Sequence, residues 1–263
     1  MIKKKNFKYI FKGVFHIYNE CYKNEKKIFY LEKDYEKNQK KIINTILRNL
    51  RYKKPIFPFY KQHTHHLINN LSLLKDKKIN ILDVGGGWGV GYANCIEVFN
   101  KKKLSKINYH IFDFKNICNI GEKYFKNKIR IKNKKINYYS DLKNIKNKKF
   151  DIIFFGSSLQ YFKKPFEILK YISNFNTTYL LIVDAYLVKC SSFFTLQNYY
   201  QSSVPHSFLN GKKFFKIFEK NYRLILKSYS HTSRLNEIGT INMNNFPLRY
   251  RLDNSYNLLF KKK

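Results

Sequence analysis

The residues of this chain whose types and spacing could do chemistry begin at Asp83-Val84-Gly85-Gly86-Gly87-Trp88-Gly89-Val90-Gly91. An acidic residue stands two positions before the first glycine, and glycines then recur at alternate positions. Glycine accepts positive φ and lets the backbone come close to a ligand. A helix starting near Gly91 would aim its N-terminal amides and its dipole at an anionic group. The segment therefore reads as a ligand-binding turn, with Asp83, Gly85, Gly86, Gly87 and Gly89 as the candidates. A dinucleotide turn would need G-x-G-x-x-G spacing, and Val90 and Tyr92 occupy the places where its third glycine would fall. A phosphate loop of the G-x-x-x-x-G-K kind is absent too, since no lysine follows the last glycine.

Such a turn needs a strand before it and a helix after it, and the surrounding sequence supplies both. The short apolar runs Ile79 to Val84, Ile107 to Phe112, Ile136 to Tyr139, Phe150 to Phe155 and Tyr179 to Val183 alternate with amphipathic stretches. That rhythm predicts five buried strands in β-α units on a parallel sheet. Beyond a helical stretch from Lys212 to Lys220, the segments Tyr222 to Ser230 and Ser255 to Phe260 alternate apolar and polar residues more clearly, which fits antiparallel strands at a sheet edge. Upstream, Glu32 to Leu50 and Gln62 to Leu74 read as helices separated by a breaker containing Pro55 and Pro58. The expected organisation is a helical N-terminal extension over residues 1–75 packed on a core of residues 76–263.

The D-x-G-x-G-x-G pattern of Asp83 to Gly89 resembles motif I of class I S-adenosylmethionine-dependent methyltransferases. Seven strands ending in an antiparallel pair resemble the layout of the same class. The resemblance implies an α/β, Rossmann-like, seven-stranded, mostly parallel doubly wound sheet. It also implies that Asp83 and the glycine backbone hold the amino acid half of S-adenosyl-L-methionine. Asp113, ending the strand Tyr109-His110-Ile111-Phe112, would accept the ribose hydroxyls. It comes later than the usual ~20 residues after the glycines, because Lys101 to Lys106 lengthens the connection. Asp141, with Ser140 and Leu142, either lies beside the adenine ring or is a helix N-cap. Ser157, among the small residues after the fourth strand, sits where cofactor and substrate would meet. A finer resemblance runs through Phe11-Lys12-Gly13-Val14-Phe15 with Tyr18, Leu82 to Gly89, Ser158-Leu159-Gln160-Tyr161, Val204-Pro205 and Phe246-Pro247-Leu248-Arg249-Tyr250. These segments are similar to a family of bacterial methyltransferases found among polysaccharide-biosynthesis genes. That family implies a small-molecule acceptor, such as a sugar or glycan precursor.

A sulfonium methyl is already activated, so the protein must chiefly align it with the acceptor and exclude water. A base is needed only where the acceptor loses its proton early. His206 is the candidate base, because it lies in Tyr186 to Gly211, an insertion between the fifth strand and the next helix. Tyr161 and Gln197 are candidate acceptor contacts. All three can equally be ordinary loop residues. His63, His65 and His66 raise a metal site, but no Cys or carboxylate stands at ligand spacing nearby. A helix covering the cofactor, with Tyr60 and Gln62 near its start, is the expected role of that segment.

Composition narrows the partners. With 263 residues, 44% hydrophobic and 18% aromatic, the chain can bury a full core. The net charge of +35 suggests nucleic acid, yet the charge is mostly lysine scattered from Lys3 to Lys263, without clustered arginine forks. An AT-rich coding sequence would give the same excess. Lysines near the pocket would favour an anionic acceptor. Cys21, Cys95, Cys118 and Cys190 form no CxxC pair or disulfide framework, which fits a reducing cytoplasm. No apolar run approaches the ~20 residues of a membrane span. The competing readings are an RNA methyltransferase that uses the basic surface and a catalytically silent binding module on the same fold.

Overall fold

The computed structural model describes residues 9–24, 33–56, 58–74, 78–129, 135–199, 202–230 and 240–263. The chain begins with β1 (Phe11–Phe15), α1 (Tyr18–Lys23), α2 (Lys33–Arg51) and α3 (Pro58–Leu73). The central part runs β2 (Ile79–Val84), α4 (Val90–Val98), α5 (Lys101–Leu104), β3 (Ile107–Phe112), α6 (Lys115–Ile120), β4 (Ile136–Tyr139), β5 (Phe150–Gly156), α7 (Pro165–Ser173) and β6 (Thr177–Ala185). Then follow β7 (Leu187–Val188), β8 (Phe193–Tyr199), β9 (Ser202–Asn210), α8 (Gly211–Phe218), β10 (Tyr222–Tyr229) and β11 (Tyr256–Lys262).

The main sheet has seven strands in the order β10-β11-β6-β5-β2-β3-β4. The pairs β2–β3, β3–β4, β2–β5 and β5–β6 are parallel. β11 pairs antiparallel with both β6 and β10, so it alone runs against the rest. This is an α/β, Rossmann-like fold on a seven-stranded, mostly parallel sheet, and it agrees with the expected class. Alternation along β2 explains why both sheet faces are covered. Ile79 and Ile81 join a core that includes Ile43, Ile46, Leu67 and Leu71 of α2 and α3. Leu82 and Val84 point into a second core with Ile168 and Leu169 of α7 and Phe214 and Phe218 of α8. Pro165 starts α7 where its missing N–H costs nothing. The Asn210 side chain accepts from Lys213 N at 2.9 Å and caps α8.

A second sheet, in the order β1-β8-β9-β7, was not anticipated from sequence. β8 and β9 form an antiparallel hairpin from the segment read as an insertion, and β1 pairs antiparallel with β8. The reading of residues 1–75 as helical needs correcting at Phe11–Phe15. That segment is a strand because its hydrogen-bond partners lie far along the chain: Thr195 Oγ1 donates to Lys12 O at 3.1 Å and Asn198 N to Ile10 O at 2.7 Å. An aromatic core including Phe11, Tyr186, Phe193, Phe208, Phe246 and Tyr250 lies with this sheet. Four of the five segments carrying the finer resemblance thus have residues in or beside it.

Candidate functional site

The glycine turn joins the carboxyl end of β2 to α4. Gly85, Gly87 and Gly89 have φ of 73°, 62° and 112°, which a side chain would resist. A Cβ at Gly87 would meet nothing within 4 Å, so the turn opens there onto free space. Beneath it the packing is tight. A Cβ at Gly85 would strike Ser158, one at Gly86 would strike Asp83, and one at Gly91 would collide with the Tyr109 hydroxyl. Tyr138 OH donates to Trp88 O at 2.6 Å and holds the outer limb of the turn.

Asp83 lies below this surface. Its carboxylate is 3% exposed, and Oδ2 accepts from Tyr109 OH at 2.7 Å. Burial pushes its pKa up to about 7, against the lowering effect of the Tyr109 hydrogen bond and with a further rise from Asp113. Its carboxylate braces the turn from the underside. Asp113 stands at the end of β3, as expected. Its Oδ2 accepts from Gly87 N at 2.8 Å and its Oδ1 from Phe114 N at 2.7 Å. Burial raises it to about 6, while those two N–H donors pull the other way. Asp113 and the open position at Gly87 are thus one unit, a carboxylate tied to the amide that borders free space.

Ser157 ends β5 with φ of 58°. Its N–H donates to Val183 O at 3.2 Å, and Gln160 Nε2 donates to its carbonyl at 2.8 Å. Ser158, quoted from the sequence only as part of a resembling segment, donates its hydroxyl to Val84 O and clamps β5 to the start of the turn. Asp141 is exposed and caps a short 3-10 turn by accepting from Lys143 N at 2.9 Å. Of its two sequence readings the N-cap is the one the structure displays.

The acceptor candidates gather at the second sheet. Tyr161 OH donates to Gln197 Oε1 at 2.8 Å, so these two residues address each other. The ring of Tyr161 meets His206 edge to face at 5.8 Å. His206 lies on β9 rather than in a loop and is 0% exposed, with Phe11, Tyr186 and Phe208 rings within 4.8, 4.3 and 5.1 Å of its own. A base must touch the atom it deprotonates. A fully enclosed imidazole does not, so the assignment of His206 as base is corrected to an aromatic-core residue.

The histidine segment carries a feature that sequence reasoning missed. His63 Nδ1 on α3 lies 3.3 Å from Oδ2 of Asp184, which is buried in β6. Asp184 closes its apolar run as Asp113 closes its own, and that parallel was the available signal. No group of three or more His, Cys, Asp or Glu side chains able to hold a metal is present among the described residues. Tyr60 and Gln62 lie outside the residues whose side chains are described.

No protein-family model and no curated protein matches the sequence. Solved structures match at the level of fold. The chain is similar to the PH0226 protein from Pyrococcus horikoshii OT3, with a TM-score of 0.50 and 12% identity over 79% of this chain and 92% of that one. It is also similar to magnesium protoporphyrin IX methyltransferase from Synechocystis PCC 6803 with bound SAH, with a TM-score of 0.49 and 9% identity over 89% and 96%. A third is an S-adenosylmethionine-dependent methyltransferase from Clostridium acetobutylicum ATCC 824, with a TM-score of 0.47 and 15% identity over 77% and 91%.

Proposed function

We propose that this chain transfers a methyl group from S-adenosyl-L-methionine to a small-molecule acceptor, a sugar or glycan precursor of cell-surface polysaccharide. The observation that carries the reading is the Gly87–Asp113 unit: a backbone surface with room above it and a carboxylate bonded to its amide at 2.8 Å. The glycine turn would take the amino acid half of the cofactor and Asp113 its ribose hydroxyls, with Asp141 at the adenine. The bound cofactor supplies an activated methyl group. Ser158 holds the end of β5 against the turn, Ser157 would stand where cofactor and acceptor meet, Asp83 and Tyr109 brace the turn from below, and Tyr161 with Gln197 would contact the acceptor.

Residues 76–263 form the catalytic domain in this reading, and residues 1–75 are its extension. The segments resembling the polysaccharide-gene family support the acceptor class, since several supply the aromatic core beside Tyr161. A cytoplasmic site of action fits four free cysteines. Among the described residues no helix is long and apolar enough to cross a membrane. Titration calorimetry with S-adenosylhomocysteine, followed by methylation assays on nucleoside-diphosphate hexoses, tests the proposal. Saturable one-to-one binding is expected, and its absence sinks the reading.

A further inference from the structure

We propose that His63, oriented by Asp184, is the proton acceptor for a hydroxyl group of the methyl acceptor, so that the reaction is an O-methylation. This rests on the methyl-transfer reading above. Asp184 lies at the carboxyl end of β6, on the sheet edge where open α/β folds bind ligands. Its backbone has φ of 59°, a conformation that a non-glycine residue keeps only where its surroundings impose it. Ser157, closing the adjacent β5, has φ of 58° and bonds to Val183. Two left-handed residues therefore stand side by side on this edge, next to the strand that leads into the glycine turn.

The Asp184 side chain is 1% exposed. Its Oδ1 accepts the hydroxyls of Ser230 and Ser255, the second at 3.0 Å. Oδ2 lies 3.3 Å from His63 Nδ1, within ion-pair distance but without a ring N–H aligned for a hydrogen bond, and the His63 side chain is 29% exposed although Nδ1 itself is buried. The exposed part of the side chain therefore excludes Nδ1. A small rotation of the ring that aligns Nδ1–H with the carboxylate would keep the proton on that nitrogen and leave the lone pair on Nε2, the arrangement in which an imidazole accepts a proton from a bound hydroxyl. Alignment in the absence of ligand is commonly looser than in the reacting complex. His66, one turn further along α3, senses the same carboxylate: burial and His65 lower its pKa and Asp184 opposes them. Thr64 between them is anchored by Asn94 Nδ2 at 2.8 Å, which fixes the rotation of α3.

An alcohol oxygen is a poor nucleophile until its proton leaves, whereas a free amine or a carboxylate needs no such partner. A carboxylate-oriented imidazole is therefore matched to a hydroxyl. In the step, the hydroxyl oxygen bonds to the methyl carbon, and the carbon–sulfur bond breaks with its electron pair remaining on sulfur. The hydroxyl proton passes to His63 Nε2, the resulting imidazolium is balanced by Asp184, and water then removes the proton.

Heteronuclear NMR of the histidine ring nitrogens in the full chain, under mildly alkaline conditions, reads the tautomer without turnover. The Nδ1–H form is expected for His63, with the preference lost in Asp184→Asn. Turnover is measured with S-adenosylmethionine and with UDP-glucose, UDP-galactose and GDP-mannose as hydroxyl probes. His63→Gln should lower kcat by about 10²–10⁴-fold with the affinity for S-adenosylhomocysteine unchanged, while the exposed neighbour variant His65→Gln behaves as wild type. An Nε2–H tautomer in the wild type overturns the proposal even if Asp184→Asn fails to fold. So does a His63→Gln variant with undiminished kcat, or a wild type that binds S-adenosylhomocysteine but methylates none of the probes. Failure to bind S-adenosylhomocysteine overturns instead the methyltransferase reading itself.

Discussion

At the end of β2 the open surface is made of backbone, while beside β9 the enclosed surface is made of rings. The glycine turn offers amides and φ angles that most side chains resist, and it is braced from below by Asp83, Tyr109 and Ser158. The second sheet offers Phe11, Tyr186 and Phe208 edge-on or tilted around His206, with Phe193 stacked on Phe208 and Tyr161 and Gln197 bonded to each other at its margin. A backbone site is specified by what must be missing, since one added carbon blocks it. A ring site is specified by volume.

The comparison can be broken by changes that should affect one region and spare the other. The largest effect is expected from Phe208→Ala, which empties a 0% exposed position between Phe193 and Phe11. It should cost about 3–5 kcal/mol in chemical denaturation, with S-adenosylhomocysteine affinity retained by whatever fraction stays folded. Loss of cofactor binding from the folded fraction would show that the two regions are one. Gly87→Arg fills the open space above the turn and strains a φ of 62°. Calorimetry should record at least about a hundredfold weaker cofactor binding, roughly 3 kcal/mol, with thermal stability lowered by only about 1–3 kcal/mol for the strain.

The buried acids give the backbone region a pH signature that the ring region lacks. Asp83 at about 7 and Asp113 at about 6 both lie above the ordinary carboxylate value. The folded state therefore holds protons that the unfolded state has already released. Their contribution to stability is full below about pH 4 and falls as pH rises through 6 and 7. Melting temperatures measured across that range should decline from this source, and Asp83→Asn should flatten the slope. The smallest effect is expected for Tyr161→Phe, which removes one partly buried hydrogen bond to Gln197. About 0.5–1.5 kcal/mol of stability should be lost, with KM for the acceptor rising more than kcat falls.

Legibility from sequence followed the range of the interactions. Four of the five parallel strands were readable because each is a contiguous apolar run largely buried on both faces, as in Ile79–Val84 and Phe150–Gly156, while the edge strand Ile136–Tyr139 buries only Ile136 fully. Asp113 was readable because it closes such a run. The strand Phe11–Phe15 was not, since its pairing partner is β8 at the far side of the fold and its own pattern is short. His206 looked like a loop histidine for the same reason: nothing local announces that β8, β9 and β1 will close rings around it. Tyr109 looked like one more core residue until its hydroxyl met Asp83.

The local chemistry of the turn, the order of the five parallel strands, and the class of fold were determined by the sequence alone, because each depends on neighbours within a few residues or on a regular period. Which histidine meets a carboxylate was decided only by the tertiary structure. His63 and Asp184 lie on separate elements, α3 and β6, and only the packing of that helix over the sheet edge brings their side chains to 3.3 Å. A backbone turn carries its geometry in its own residues, whereas a pair of side chains from distant segments acquires its geometry only when the core between them has formed.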